Sequence, residues 1–236
     1  MPDPLYDLLY AVERALTRCA AGPAHPAVVR VFAVRREDGQ LVVQCEKPDG
    51  IPLAALLRQQ RVLSMGEAME CLRPLAEALE HAAANQLPRL DLVATSVIVQ
   101  TGDPAAGARP FRPKTPPLAL TVLNQLKDLR QGKTMLVDPL RLSPAVLEIE
   151  PIKHGIASLA ALAFELLSGR PVPARAADYR PISPLSEAGN HCLRRALGQS
   201  SSFALPGNFL DELASGARYV SSAENPPESE DRTELR

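Results

Sequence analysis

Leu5, Leu8, Leu9, Val12, Leu16 and Cys19 recur every three or four positions. That period predicts an amphipathic helix over 5–20, stopped by Gly22-Pro23. Two β-rich runs follow, Ala27–Val34 and Gln40–Gln44, separated by Arg35-Arg36-Glu37-Asp38-Gly39. An Asp-Gly pair between two such runs signals a hairpin, because both residues tolerate the positive φ of a tight turn. Pro48-Asp49-Gly50 ends the second strand, and Pro52–Gln60 reads as a short helix. Ser64, with Glu67 three residues on, forms a capping box at the head of a long helix. Its apolar positions Met69, Leu72, Leu75, Ala76 and Leu79 run on toward His81 and Ala84.

Beyond that helix, Leu90–Val93 and Val97–Gln100 read as short extended pieces. Thr101–Pro117 is rich in Gly, Pro and Ala and reads as loop, and Leu118–Leu123 fits a further strand. The most hydrophobic helix is expected over 144–170, closed at Gly169-Arg170-Pro171, with two more near 184–197 and 206–216. From Ser221 the apolar periodicity gives way to Glu, Ser, Pro and Arg, which predicts a disordered tail over 221–236. No internal repeat is visible. The order is one helix and a hairpin, then a mainly helical block.

Composition narrows the function classes. The 236 residues are 46% hydrophobic and 22% charged, enough apolar content to bury a core, in one large domain or two small ones. With 23 Pro, 4% aromatic residues and no Trp, many loops and a core of Leu, Val and Ala are expected. The net charge of −1 supplies no global field for nucleic acid or an anionic membrane. Arg35-Arg36 and Arg194-Arg195 are too small for a nucleic-acid footprint. Met1-Pro2-Asp3-Pro4 lacks the basic start of a signal peptide, and Asp7, Glu13 and Arg14 break the stretch that follows. The longest apolar run, Ile156–Leu167, is short of the ~20 residues of a membrane span. Cys19, Cys45, Cys71 and Cys192 form no Cys-x-x-Cys pair, so they read as reduced core residues of a cytoplasmic protein.

Several segments occur together in the order of one known arrangement. His25-Pro26-Ala27-Val28-Val29-Arg30-Val31 resembles the "HPNIV" segment between the C-helix and fourth strand of bacterial Ser/Thr protein kinases. Leu41-Val42-Val43 followed by Asp49-Gly50-Ile51-Pro52-Leu53 is similar to their fifth strand, hinge and D-helix start. Leu79-Glu80-His81 through Leu87 resembles the end of the E-helix, and Leu90 through Val99 falls on the catalytic loop and the strand after it. Leu142-Ser143-Pro144-Ala145 resembles the Ala-Pro-Glu segment. Phe164-Glu165-Leu166-Leu167-Ser168-Gly169-Arg170-Pro171 resembles "yELLTGRP", and Arg194–Leu197 with Phe203–Leu213 the closing helices. No single motif is specific, but the series runs in order from about residue 5 to 215. The resemblance implies an α+β, protein kinase-like domain over 1–220. A small-lobe remnant (C-helix and β-hairpin) would cover 5–48 and a mainly helical large lobe 49–220.

A protein kinase works by positioning and charge neutralisation, with a glycine-rich loop, a Lys held by a C-helix Glu, a catalytic-loop Asp and Asn, and a metal-binding Asp. Under the resemblance most of these are altered. The chain begins at the C-helix-like segment, so the loop and strand Lys are expected to be missing, and Glu13 is the candidate C-helix Glu or simply a solvated helix charge. Gln44, Cys45 and Glu46 fall where the hinge meets the nucleotide. His-Arg-Asp falls on Arg89-Leu90-Asp91, which leaves Asp91 as the one retained catalytic-loop position, a base or a loop-structuring carboxylate. The Lys two residues on is Val93, which brings no charge to a transferred phosphate. The metal-binding Asn is Ser96, a poorer magnesium ligand. The Asp-Phe-Gly site best fits Asn124-Gln125-Leu126 after the Leu120–Leu123 strand, with Asp128 as a substitute ligand and Asp103 too early. The Glu of Ala-Pro-Glu is Ala145 and its Arg partner falls near Ser202, while the F-helix Asp falls on Gly155. Losing both members of a buried ion pair is close to neutral, whereas losing one strands a charge.

Other motifs carry less. Gly132-Lys133-Thr134 ends like a phosphate-binding loop, but Lys127 stands where the first Gly is required. The four His lack metal-ligand spacing, and His81 and His191 read as packing residues on helices. Ser200-Ser201-Ser202 has no nucleophile elbow. The expected function is a catalytically inactive kinase-like protein that binds a protein partner, a kinase or a second copy of itself, with no cofactor, metal, nucleic acid or membrane span. Two alternatives stand beside it. One is a working Ser/Thr kinase using ATP and Mg²⁺, whose nucleotide-binding start lies upstream or in a partner. The other is an unrelated helical adaptor, for which the expected hairpin packed on the first helix is the discriminating feature.

Overall fold

A computed structural model of the chain describes residues 4–38, 40–60, 62–101, 111–130, 147, 152–173, 178–198 and 203–217. Helix α1 (Pro4–Ala21) starts on a proline, whose missing N–H costs nothing in a first turn, and stops where the Gly22 N–H donates to the Arg18 carbonyl at 2.9 Å. Its Leu8, Val12 and Leu16 are buried against Val29 and Val31, as the helical period requires. Strands β1 (Val31–Glu37) and β2 (Gln40–Cys45) pair antiparallel from Glu37↔Gln40 to Val31↔Cys45, with a bulge between Val31 and Ala33. Asp38, at φ 47°, makes the turn that the Asp-Gly pair predicts. The strand begins at Val31 and not at Ala27. Residues 27–29 bond to Thr115 instead, its N–H donating to the Ala27 carbonyl and its carbonyl accepting from the Val29 N–H, both at 2.9 Å.

Gly50, at φ 123°, turns the chain into β3 (Ile51–Pro52) and then α2 (Leu53–Gln60). Helix α3 (Met65–Ala84) carries the expected capping box: the Ser64 hydroxyl accepts from the Glu67 N–H, and the Glu67 carboxylate accepts from the Ser64 N–H at 2.8 Å. Its face of Met69, Leu72, Leu75, Ala76 and Leu79 is buried and packs on α5 (Ile152–Ser168) and α7 (Pro206–Ser215). Each fully buried leucine there stabilises the fold by about 1.5–3 kcal/mol relative to exposure. Helix α6 (Glu187–Leu197) completes the block, its N-cap Ser186 accepting from the Gly189 N–H.

Two expectations between α3 and α5 are overturned. Thr101–Pro117 is not all loop: β4 (Ile98–Thr101) pairs with β5 (Phe111–Lys114) from Ile98↔Lys114 to Thr101↔Phe111, in the sheet order β3-β4-β5. Pro113 is tolerated because β5 is an edge strand, where a missing N–H breaks no ladder on the outer side. Leu118–Leu123 is not a strand but the first half of α4 (Leu118–Arg130). Leu118, Ala119, Val122, Leu123 and Leu126 form one buried helical face against α1, and tertiary packing decides between two periods that so short an apolar run fits equally. Of the expected extended piece Leu90–Val93, only Leu90 pairs, in a single bridge with Pro117.

The architecture of the described residues is α+β, with seven helices and two small antiparallel sheets. Two clusters of buried side chains hold it together, one under α1, the first hairpin and α4, the other around α3, α5, α6 and α7. No helix among the described residues is long and apolar enough to cross a membrane. The Ala-Pro-Glu-like segment, Gly132-Lys133-Thr134, Asp103, Ser200–Ser202 and the 221–236 tail lie outside the described residues.

Candidate functional site

The residue around which the two clusters meet is Thr115, fully buried at the end of β5. Its backbone ties residues 27–29, as described, and its Oγ1 donates to the Asp91 carbonyl at 2.9 Å. The Asp91 N–H donates to the Pro116 carbonyl at 3.0 Å, and the Leu118 N–H to the Arg89 carbonyl at 2.8 Å. Residues 89–91 are thus stitched antiparallel to 115–118. Asp91 is itself buried, at 2% exposure. A general base must come within hydrogen-bond reach of the proton it takes, and the Asp91 carboxylate is packed inside the protein.

Val93 and Ser96 follow Asp91 in a tight turn, with the Ser96 N–H donating to the Val93 carbonyl at 2.9 Å. Val93 faces an open groove of about 910 Å³ between α2 and the end of α5, bordered by Leu57, Arg58, Glu165 and Arg170. Burial pushes the Glu165 carboxyl above its ordinary range, against the pull of the Val172 N–H that bonds to it.

Glu13, Gln44, Cys45 and Glu46 lie on the α1–hairpin side. Glu13 is half-buried and its Oε2 accepts from Arg36 Nε and Nη2 on β1 at 2.9 and 2.5 Å, so this carboxylate is neither a lone solvated charge nor paired with a lysine. Gln44 is exposed and Cys45 half-buried at the end of β2, where burial raises the Cys45 thiol pKa. Glu46, just beyond, forms an ion pair with Lys114 of β5, and its Oε2 accepts from the Arg30 N–H at 3.2 Å. Burial pushes the Glu46 carboxyl up, but these hydrogen bonds and the Lys114 and Arg30 charges outweigh it and hold it below the ordinary carboxylate value. The pair fastens the segment after β2 to β5, across the first hairpin and the second.

Asn124 is a correction. It is exposed on α4, well inside the helix, and not at the end of a strand. The residue that follows β5, the second strand after the Asp91 segment, is Thr115, with Pro116 and Pro117 behind it. Sequence reading missed Thr115 and Lys114 because the Pro and Ala around them conceal a strand. The signal was the alternation of Phe111 and Pro113, both buried, with Arg112 and Lys114. Asp128 also lies on α4. Gly155 lies on α5 where that helix crosses α3, and a Cβ there would meet Leu79 Cδ2 at 2.9 Å, so the small residue serves close helix packing.

All four cysteines are free. Burial pushes the Cys19, Cys71 and Cys192 thiols up to about 12, which keeps them protonated and unreactive. Among the described residues no group of three or more His, Cys, Asp or Glu is placed to hold a metal ion. A comparison with protein-family models finds no match, and a comparison with curated proteins finds no relative.

Proposed function

We propose that the chain is a kinase-like protein without phosphoryl-transfer activity, a pseudokinase that acts as a protein-binding or regulatory module in signalling. The observation that carries this reading is the Asp91 segment. The one catalytic-loop position that the resemblance retains is a buried carboxylate whose backbone is bonded to Thr115-Pro116. The positions around it that a kinase uses for charge carry Val93, Ser96 and Thr115. None of these brings a positive charge to a phosphate or a carboxylate to magnesium. The order of elements supports the same reading: a helix with a hairpin on it, a short helix, a long capped helix, the Asp91 segment, a second hairpin and further helices. The first hairpin on α1 fits an all-helical adaptor poorly.

On this proposal ATP with Mg²⁺ leaves the melting temperature unchanged, and no labelled phosphate reaches the chain or a generic protein substrate. A magnesium-dependent rise in melting temperature would argue for nucleotide binding, and transfer of label would overturn the reading. Light scattering across a dilution series tests the expected protein partner where that partner is a second copy.

A further inference from the structure

The α1–β1 connection is held to the end of α3 by two histidines. His25, two residues after Pro23, and His81, in the last turn of α3, have ring centroids 5.1 Å apart. They line a small cavity of about 40 Å³, with Cys19, Leu87 and Leu90. The bonds fix the tautomers. A carbonyl only accepts, so His81 Nε2, 3.1 Å from the Pro23 carbonyl, must carry a proton. The Ala27 N–H only donates, so His25 Nδ1, 3.2 Å away, must be bare. His81 keeps its bond when protonated. His25 does not, because its imidazolium turns the acceptor into a donor facing another donor.

We propose that His25 is a proton-sensitive clasp on the turn that seats Ala27: neutral, its Nδ1 closes residues 25–27 by accepting from the Ala27 N–H, and protonated, it opens that turn and weakens the docking of residues 27–29 on Thr115. The held segment is the one that docks on Thr115, since the Ala27 carbonyl accepts from the Thr115 N–H at 2.9 Å. Ala27 belongs to the helical-block cluster and Val29 to the α1 cluster, so the clasp sits where the two join. The titratable groups around it are Glu77 and His81 from α3, with Cys19 of α1 and Arg30 ahead of β1 on the same cavity. Burial and then the His81 charge hold His25 below its ordinary 6.5, against the opposing pull of Glu77. The clasp does not depend on the kinase-like reading.

The test uses the full chain and a His25→Asn variant. An Asn oxygen accepts from the N–H two residues on, as in an Asx-turn, and does not titrate. In wild-type protein the Ala27 amide resonance should titrate with a midpoint below 6.5. As pH falls below 6.5 through that midpoint, the melting temperature should drop more in wild type than in the variant, by up to about 2–4 °C for one lost hydrogen bond in a chain of this size. Equal losses in the two proteins, or an Ala27 amide without an inflection below pH 6.5, would overturn the clasp. If the variant does not fold, the wild-type Ala27 titration decides alone.

Discussion

Thr115 concentrates the molecule's interdependence in one hydroxyl and one peptide unit. Its Oγ1 satisfies the Asp91 carbonyl inside the protein, and its N–H and C=O satisfy Ala27 and Val29. A Thr115→Val substitution keeps the shape and removes only the hydroxyl. It should lower unfolding free energy by about 1–2 kcal/mol in urea titrations, because a buried carbonyl loses its donor. Gly50 is constrained differently. At φ 123° it occupies backbone space that side chains rarely adopt, and a Cβ there would lie 2.4 Å from the Val99 carbonyl oxygen. Gly50→Ala should therefore cost at least about 1–3 kcal/mol by the same titration. An unchanged midpoint would mean that the β3–β4 pairing relaxes freely. Neither role was visible in the sequence. Gly50 reads as an ordinary turn glycine and Thr115 as part of a proline-rich loop, because what fixes each is a backbone more than 20 residues away along the chain.

Among the elements, those with a full amphipathic period could be read from the sequence. Helix α1 buries the face that the spacing of Leu8, Val12 and Leu16 marks, and α3 starts at the capping box that Ser64 and Glu67 spell. Ser64→Ala removes the acceptor for the Glu67 N–H and should cost about 1 kcal/mol, seen as a shifted urea midpoint with an unchanged slope. Elements at the limit of pattern length were misread. Leu118–Leu123 satisfies a strand and a helix equally until Leu126 extends the helical face, and β5 is too short and too rich in proline to announce itself. Their assignment comes from partners: α1 for α4, and β4 for β5.

For the molecule as a whole, the two clusters are joined by bonds that differ in their response to acid. The Glu46 carboxyl is held below its ordinary 4.5 by Lys114 and Arg30, so its contribution is complete above that value and is lost as pH falls through the folded-state pKa. Glu46→Gln should therefore flatten the acid limb of a melting-temperature profile below about pH 4.5, while leaving the His25-dependent fall at milder pH in place. An acid limb as steep as that of wild type would show that the Glu46–Lys114 pair adds nothing at the join. By itself the sequence determined six of the seven described helices, the first hairpin and an α+β composition. These rest on local period, capping and turn chemistry, which a short window of chain carries in full. Only the tertiary structure decided that α4 is a helix, that a second hairpin follows Asp91, that Thr115 and not Asn124 sits beside it, and that the Asp91 carboxylate is buried. Each of those depends on which distant surface a segment meets, and no spacing along the chain encodes that meeting.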